Sequence, residues 1–122
     1  MAAVAVSLAA ALAGMAARLS KEYLPDAAGL IERADRLRER ASRLAGADAR
    51  AYGRVMAAQR AGSGVEETLS EAADVPLAIA EAGTEVSELA DRLAKDGNPN
   101  LRGDAVTAVL LAGAGVRAAA TL

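Results

Sequence analysis

The chain has 122 residues, which suits one domain with a substantial core. Its formal charge of −2 and its lack of aromatic residues other than two Tyr argue against nucleic-acid binding, which needs a basic field or stacking side chains. Because there is no His and no Cys, the sequence excludes disulfides, zinc fingers, Ser-His and Cys-His catalysis and imidazole ligands. Proton transfer would have to use carboxylates, Tyr, Lys, backbone or water.

The first predicted element is an alanine-rich helix over residues 4–19. It carries one charge, Arg18, and has apolar side chains on every face, as in a helix surrounded by protein or lipid. A secretory signal would have Lys or Arg before the apolar run, and a membrane span needs about 20 strongly apolar residues. We therefore favour a buried helix of a soluble, cytoplasmic protein without membrane contact. Hydrophobic residues make up 53% of the chain, more than so small a domain can hide, so we expect a homodimer.

A second helix is predicted after the break that closes at Pro25, with Asp26 as its N-cap and its end near residue 45. Its apolar positions alternate steps of four and three, which is typical of a bundle seam. These positions are Leu30, Ala34, Leu37, Ala41 and Leu44.

Five arginines between residues 33 and 43 suggest either an anion site or a solvated face with ion pairs. The interleaved acidic residues favour the solvated face. The four-residue spacing predicts two pairs on this face, Glu32 with Arg36 and Glu39 with Arg43.

The middle of the chain is predicted to contain short helices. Gly46 suits the position after a helix, and Asp48 suits the N-cap of a third helix that ends near Gln59 and turns Tyr52 inward. After a loop at residues 61–64, a capping box opens a further helix that ends near residue 73. The box pairs Ser63 with Glu66.

Val75 and Pro76 interrupt the pattern, either by a kink or by a new helix start. The four-three seam then returns and stops at Gly97 and Asn98, which have strong turn chemistry. The last helix is predicted to start near Gly103 and to be apolar on nearly every face. The fold class is therefore all-α: a multihelical array of five to six helices around buried first and last helices.

Three polar residues are predicted at helix ends beside the apolar helices: Asp48, Asn98 and Asp104. Asp is a good N-cap and Asn a good left-handed residue, so spacing alone favours structural roles. Helix N-termini nevertheless offer N–H groups that bind carboxylates or developing negative charge. No cluster of carboxylates has the spacing of metal ligands, so no metal is expected.

These residues belong to motifs that resemble the cyclodeaminase/cyclohydrolase family, which includes the C-terminal domain of formiminotransferase-cyclodeaminase and methenyltetrahydrofolate cyclohydrolases. The first helix resembles the alanine-rich helix of that family. The other matching features are Asp48-Ala49, Ala51-Tyr52, Val55, Val75-Pro76-Leu77, Gly97-Asn98 and Asp104.

The resemblance implies an all-helical homodimer that acts on a tetrahydrofolate derivative. The family closes formiminotetrahydrofolate to methenyltetrahydrofolate with loss of ammonia, or interconverts methenyl and formyl forms with water. On this resemblance, Asp48 and Asp104 are the candidate catalytic residues, and Asn98, Tyr52 and Gly97 are the candidate substrate-binding residues.

The two ends of the chain depart from the family pattern. The family has a Gly-Gly-Gly-Ser segment before its first helix and an Asn-Leu after its last. The present sequence starts at Met1 without that first segment and stops at Leu122, short of the Asn-Leu. Either the sequence is trimmed or this member lacks backbone that contacts the ligand. The alternative function is therefore a non-catalytic helical dimer that serves as a ligand-binding or interaction module.

Overall fold

The computed structural model describes residues 1–121, and nearly all of them are helical. The helices are α1 (Ala2–Arg18), α2 (Ala27–Ala61), α3 (Val65–Asp96) and α4 (Arg102–Ala120), with a 3₁₀ turn at Pro99–Leu101. The all-α prediction is confirmed, since residues 1–121 contain no strand. The prediction of five to six helices is wrong, because continuous helices pass through two of the predicted breaks.

The four helices form an up-and-down bundle in which each helix packs on the next and α4 closes the ring on α1. Along α1, Ser7 Oγ lies 3.1 Å from Ser42 Oγ near one end, and Arg18 pairs with Asp35 at the other. Because α2 and α3 have 35 and 32 residues against 17 in α1 and 19 in α4, they extend past one end of the bundle. This extension, residues 46–76, is called the hairpin below.

Helix α2 continues through Gly46 and Asp48, so the predicted helix end and the predicted N-cap are both wrong. A glycine inside a helix costs about 1 kcal/mol relative to alanine, but the alanines around Gly46 favour continued helix. The helix ends instead at Gly62, where φ is +73°, and Gly64, with φ +76°, precedes α3. Glycine adopts this left-handed conformation without strain.

Helix α3 is continuous through Pro76, so a new helix start at this residue is wrong. Proline has no N–H for the carbonyl four residues earlier, but packing of the flanking residues against α2 outweighs one lost hydrogen bond. The predicted capping box of Ser63 and Glu66 is also wrong. Gly64 occupies the N-cap position, and no side-chain hydrogen bond caps the start of the helix there.

The core consists mainly of alanine, and it brings the helices close together. A Cβ atom on Gly115 of α4 would lie 2.8 Å from Val6 Cγ2 of α1, and one on Gly83 of α3 would lie 2.6 Å from Val116 Cγ2 of α4. These contacts fix a helix spacing that larger residues would not permit. The predicted seam residues are buried, except for Leu44, which is half-buried and packs against the core. The buried ones are Leu30, Ala34, Leu37, Ala41, Ile79, Gly83, Val86, Ala90 and Leu93.

Helices α1 and α4 are each buried on one face only. Val6, Ala9 and Ala13 of α1 are completely buried, whereas Leu8 is 56% exposed, and Leu110 of α4 is 64% exposed. The prediction that the first and last helices are buried therefore holds for one face of each helix in a single chain, and the predicted homodimer stays a prediction.

The arginine-rich part of α2 is a solvated face, as interpreted from the sequence. The predicted pair Glu32–Arg36 forms at 3.3 Å, and both side chains are exposed. The pair Glu39–Arg43 is not among the ion pairs of residues 1–121, so that prediction is wrong.

Candidate functional site

The connection between α3 and α4 is tied to the end of α1 through Asn98 and Ser20. The Asn98 backbone N–H donates to Ser20 Oγ, and Asn98 Nδ2 donates to the Leu19 carbonyl, both at 2.9 Å. Asn98 Oδ1 accepts from the Asn100 N–H at 2.9 Å. Ser20 is 1% exposed, and its hydroxyl donates to the Ala16 carbonyl at 2.7 Å.

Asn98 and Gly97 are both in extended conformations. Asn98 has φ −60° and ψ 119°, so the expected left-handed conformation is wrong, and its side chain caps the 3₁₀ turn instead. A Cβ atom on Gly97 would lie 2.5 Å from the Leu93 carbonyl oxygen and 2.9 Å from Ser20 Oγ. Gly97 thus lets the backbone pass close to Ser20. The contacts of both residues within the chain are structural, and their substrate-binding roles stay a prediction.

Asp104 is half-buried in the first turn of α4. It is the third residue of that helix rather than its N-cap, which is Leu101. A carboxylate in this turn is stabilised by the positive end of the helix dipole. Asp104 takes part in none of the ion pairs formed within residues 1–121.

Asp48 and Tyr52 lie in a groove on the hairpin instead of at a helix end. The groove is a cavity of about 330 Å³, lined by Asp48, Ala51, Tyr52, Val55, Leu69, Ala72, Ala73 and Pro76. Asp48 is half-buried, whereas Tyr52 is 67% exposed, contrary to the prediction that it turns inward. Mostly apolar walls around a single carboxylate are typical of a small-molecule site.

The structure does not bring Asp48 and Asp104 together within one chain. Asp26, at the start of α2, pairs with Arg92 near the end of α3, beside the connection to α4. Asp48 lies 22 residues farther along α2 (48 − 26), which is roughly 30 Å at 1.5 Å per residue. The two predicted catalytic carboxylates are thus at opposite ends of the bundle. Residues 1–121 contain no cluster of three acidic side chains that could hold a metal ion.

Two ion pairs that the sequence does not reveal connect the helices at the Asn98 end. Arg92 donates to both carboxylate oxygens of Asp26, at 2.9 and 3.0 Å, and these hydrogen bonds lower the pKa of Asp26. Arg18 donates to Asp35 at 2.7 Å and likewise lowers the pKa of that carboxyl. Asp26 is at the predicted N-cap position, but its carboxylate bonds to Arg92 and not to the helix backbone.

The whole sequence matches one known protein family. Residues 1–122 match the family described as formiminotransferase-cyclodeaminase. The chain belongs to this family. The resemblance drawn from the motifs around Asp48, Asn98 and Asp104 is thereby confirmed.

One protein of similar sequence and one of similar structure can be compared with this member of the formiminotransferase-cyclodeaminase family. It is 35% identical over 137 residues to the methenyltetrahydrofolate cyclohydrolase of Methylorubrum extorquens, with 98% of this chain and 65% of the relative covered. It also superposes on a crystal structure of formiminotetrahydrofolate cyclodeaminase from Thermotoga maritima. The TM-score of this superposition is 0.90 and the sequence identity is 28%, and it covers 98% of this chain and 64% of the Thermotoga maritima chain. The chain therefore spans just under two thirds of the length of both relatives.

Proposed function

We propose that this chain acts on a reduced folate. Either it closes formiminotetrahydrofolate to methenyltetrahydrofolate with release of ammonia, or it interconverts methenyl and formyl forms with water. The match of the entire sequence to the family carries the proposal, and the TM-score of 0.90 to a formiminotetrahydrofolate cyclodeaminase supports it.

The proposed chemistry suits a chain that has no His and no Cys. In ring closure, a folate nitrogen attacks the formimino carbon and loses a proton, the carbon–nitrogen bond to the terminal amino group breaks, and that nitrogen leaves as ammonia after protonation. One carboxylate can accept the first proton, and a protonated carboxyl can supply the second. We assign these roles to Asp48 and Asp104.

The hairpin groove suits the ring system of the substrate. Its apolar walls can cover a flat heterocycle, the exposed Tyr52 ring can stack on it, and Asp48 can accept hydrogen bonds from ring N–H groups. At the other end, Asp104 lies beside the connection that contains Gly97 and Asn98.

Asp48 and Asp104 of one chain are separated by roughly 30 Å, which limits how they can share the two proton-transfer roles. Asp48 and Asp104 of one chain cannot both touch the reacting atoms of one folate. If both act in the same reaction, they must come from different copies of the chain. The proposed active form is therefore a homodimer in which Asp48 of one protomer works with Asp104 of its partner.

Single substitutions test the two carboxylates. Asp48→Asn and Asp104→Asn should each lower turnover by at least about 100-fold, as expected for loss of a general acid or base. Asp74→Asn is the control, because Asp74 is exposed on the hairpin and is not among the residues that line the groove. Turnover is followed by the absorbance of the methenyl product, and circular dichroism checks the fold. An Asp104→Asn protein that folds and retains full turnover would remove Asp104 from the site.

Mixing the two inactive variants tests whether the site is shared. Equal amounts of Asp48→Asn and Asp104→Asn chains should form mixed dimers in which one of the two sites is intact, which restores about a quarter of wild-type activity. No recovery after verified subunit exchange would contradict the shared site. A folded dimer that binds folate without turnover would instead select the alternative, a non-catalytic binding module.

A further inference from the structure

We propose that four arginines on one face of α2 form a binding pocket for a short chain of phosphate groups. This pocket, called the arginine pocket below, is a cavity of about 330 Å³ lined by Arg33, Arg36, Leu37, Arg40, Arg43 and Glu85. The arginines follow one another at steps of three, four and three, so they form a single stripe along the helix. The cavity volume is at the lower end of the range for small-molecule sites, about 300–1,000 Å³.

The acidic residues that alternate with these arginines in the sequence do not line the arginine pocket. Glu32 pairs with Arg36, Asp35 pairs with an arginine of α1, and Glu39 takes part in none of the ion pairs of residues 1–121. The lining therefore carries four positive charges against the single negative charge of Glu85. The acidic residues that favour a solvated face in the sequence thus leave the pocket itself strongly basic.

Most N–H donors of the arginine pocket have no acceptor within residues 1–121. Arg33 and Arg43 take part in none of the ion pairs in this part of the chain. Arg40 reaches Glu81 and Glu85 of α3 at 3.5 and 3.4 Å, whereas strong charge-assisted hydrogen bonds measure about 2.7–2.9 Å. Since a guanidinium has five N–H donors and no acceptor, the pocket suits a ligand that supplies acceptors only.

A short phosphate chain fits the shape and chemistry of the arginine pocket. From Arg33 to Arg43 the stripe covers ten residues of helix (43 − 33), or roughly 15 Å, so two or three linked phosphates offer acceptors along more of it than one phosphate does. Guanidinium groups bind phosphate oxygens in pairs. Neither tyrosine of the chain lines the cavity, so a nucleotide base has no aromatic ring to stack on. Recognition therefore rests on the phosphates, in a free oligophosphate or in a nucleotide.

The surroundings of the arginine pocket restrict the ligand to a small molecule. Glu32 and Glu81 pair with arginines of the pocket, and their side chains are 72% and 59% exposed. The whole chain has a formal charge of −2. A nucleic acid or an anionic membrane would meet these carboxylates outside the pocket and be repelled, whereas a small anion inside it would not.

The first test measures binding of inorganic tripolyphosphate by calorimetry in metal-free buffer at low salt. The double variant Arg33→Gln/Arg43→Gln should raise the Kd by at least about tenfold, because two charge-assisted partners are lost. Arg38→Gln/Arg54→Gln is the matched control, since both residues are exposed on α2 and neither lines the pocket. It removes the same charge and should change the Kd by less than about twofold. None of the four arginines takes part in an ion pair within residues 1–121, so both variants should keep wild-type helix content.

The second test removes the one carboxylate of the arginine pocket. Glu85→Gln should lower the Kd for tripolyphosphate by about threefold or more, because it removes a like charge and frees Arg40. Glu88→Gln makes the same change on α3 at an exposed residue outside the pocket, and it should leave the Kd unchanged. Weaker binding by a folded Glu85→Gln protein would contradict the proposed position of the ligand.

Competing anions test which chemistry the arginine pocket recognises. ATP without metal should bind within about threefold of tripolyphosphate, because only the phosphates are recognised. No saturable binding of tripolyphosphate up to about 1 mM would overturn the proposal. Equal loss of binding in the two double variants, tighter binding of citrate, ATP binding more than about tenfold tighter, or tighter binding of duplex DNA or anionic vesicles would each overturn it as well. None of these measurements uses folate turnover, so the proposal stands or fails separately from the proposed function.

Discussion

Ser20 fixes the position of the candidate site residue Asn98. Its hydroxyl accepts from the Asn98 N–H and donates to the Ala16 carbonyl, so it satisfies one backbone group of α1 and one of the connection between α3 and α4. The sequence gives no reason to single out Ser20, since its partner Asn98 is 78 positions away. The signal that could have found it is a lone small polar residue at the end of an alanine-rich helix.

Replacing the Ser20 hydroxyl should destabilise the protein. In Ser20→Ala the partly buried Asn98 N–H and the buried Ala16 carbonyl lose a partner, which costs about 1–3 kcal/mol in the free energy of unfolding. Ser63→Ala, in the exposed turn before α3, should change it by less than about 0.5 kcal/mol. Urea unfolding monitored by circular dichroism measures both, and equal stabilities of the two variants would contradict the role of Ser20.

The ion pair of Asp26 with Arg92 should make stability depend on pH. Since hydrogen bonds from Arg92 lower the pKa of Asp26 below its ordinary value of 3.8, the pair stabilises the fold above that value. This contribution is lost as the pH falls through the lowered pKa of the folded state. Wild type should therefore exceed Asp26→Asn in unfolding free energy at pH 7, and the difference should shrink below pH 3.8. A difference that stays constant from neutral to acidic pH would contradict the pairing.

At the scale of the helices, the spacing of apolar residues predicts which face of a helix is buried better than it predicts where the helix begins and ends. The four-three seams of α2 and α3 correctly give the buried residues Leu37 and Val86, because the period depends only on which face meets the core. The helix breaks predicted at Gly46 and Pro76 are wrong. Each residue lowers local helix stability, but packing of the two long helices against each other outweighs this loss. This is also why Asp48 lies within a helix.

Two glycines of α4 give opposite predictions for the same substitution. In Gly115→Ala the new Cβ would lie 2.8 Å from Val6 Cγ2 and 3.1 Å from the Ala2 carbonyl oxygen, so the variant should lose about 1–3 kcal/mol of stability. In Gly113→Ala the new Cβ has no atom within 4 Å, so the variant should gain about 0.5–1 kcal/mol. Melting temperatures measure both. The same sign for the two variants would contradict the close approach of α1 and α4.

At the scale of the molecule, composition predicts an all-helical, alanine-filled core but not how the helices are arranged. The distance between Asp48 and Asp104 depends on the length of α2 and on the order of helices in the bundle, and neither follows from local patterns. The motif identifies Asp48 as a candidate site residue, although the capping role predicted for it is wrong, because Asp48 lies within α2. The structure thus has the groove with Asp48 at the hairpin end of the bundle and the half-buried carboxylate of Asp104 at the opposite end.

The folate assignment is tested most directly by incubating the purified chain with formiminotetrahydrofolate, and separately with methenyltetrahydrofolate, while the absorbance of the methenyl form is recorded. One of the two reactions should run faster than its uncatalysed rate, in proportion to protein concentration, with the Asp104→Asn protein at least about 100-fold slower. A correctly folded dimer that neither binds nor converts either folate would contradict the assignment.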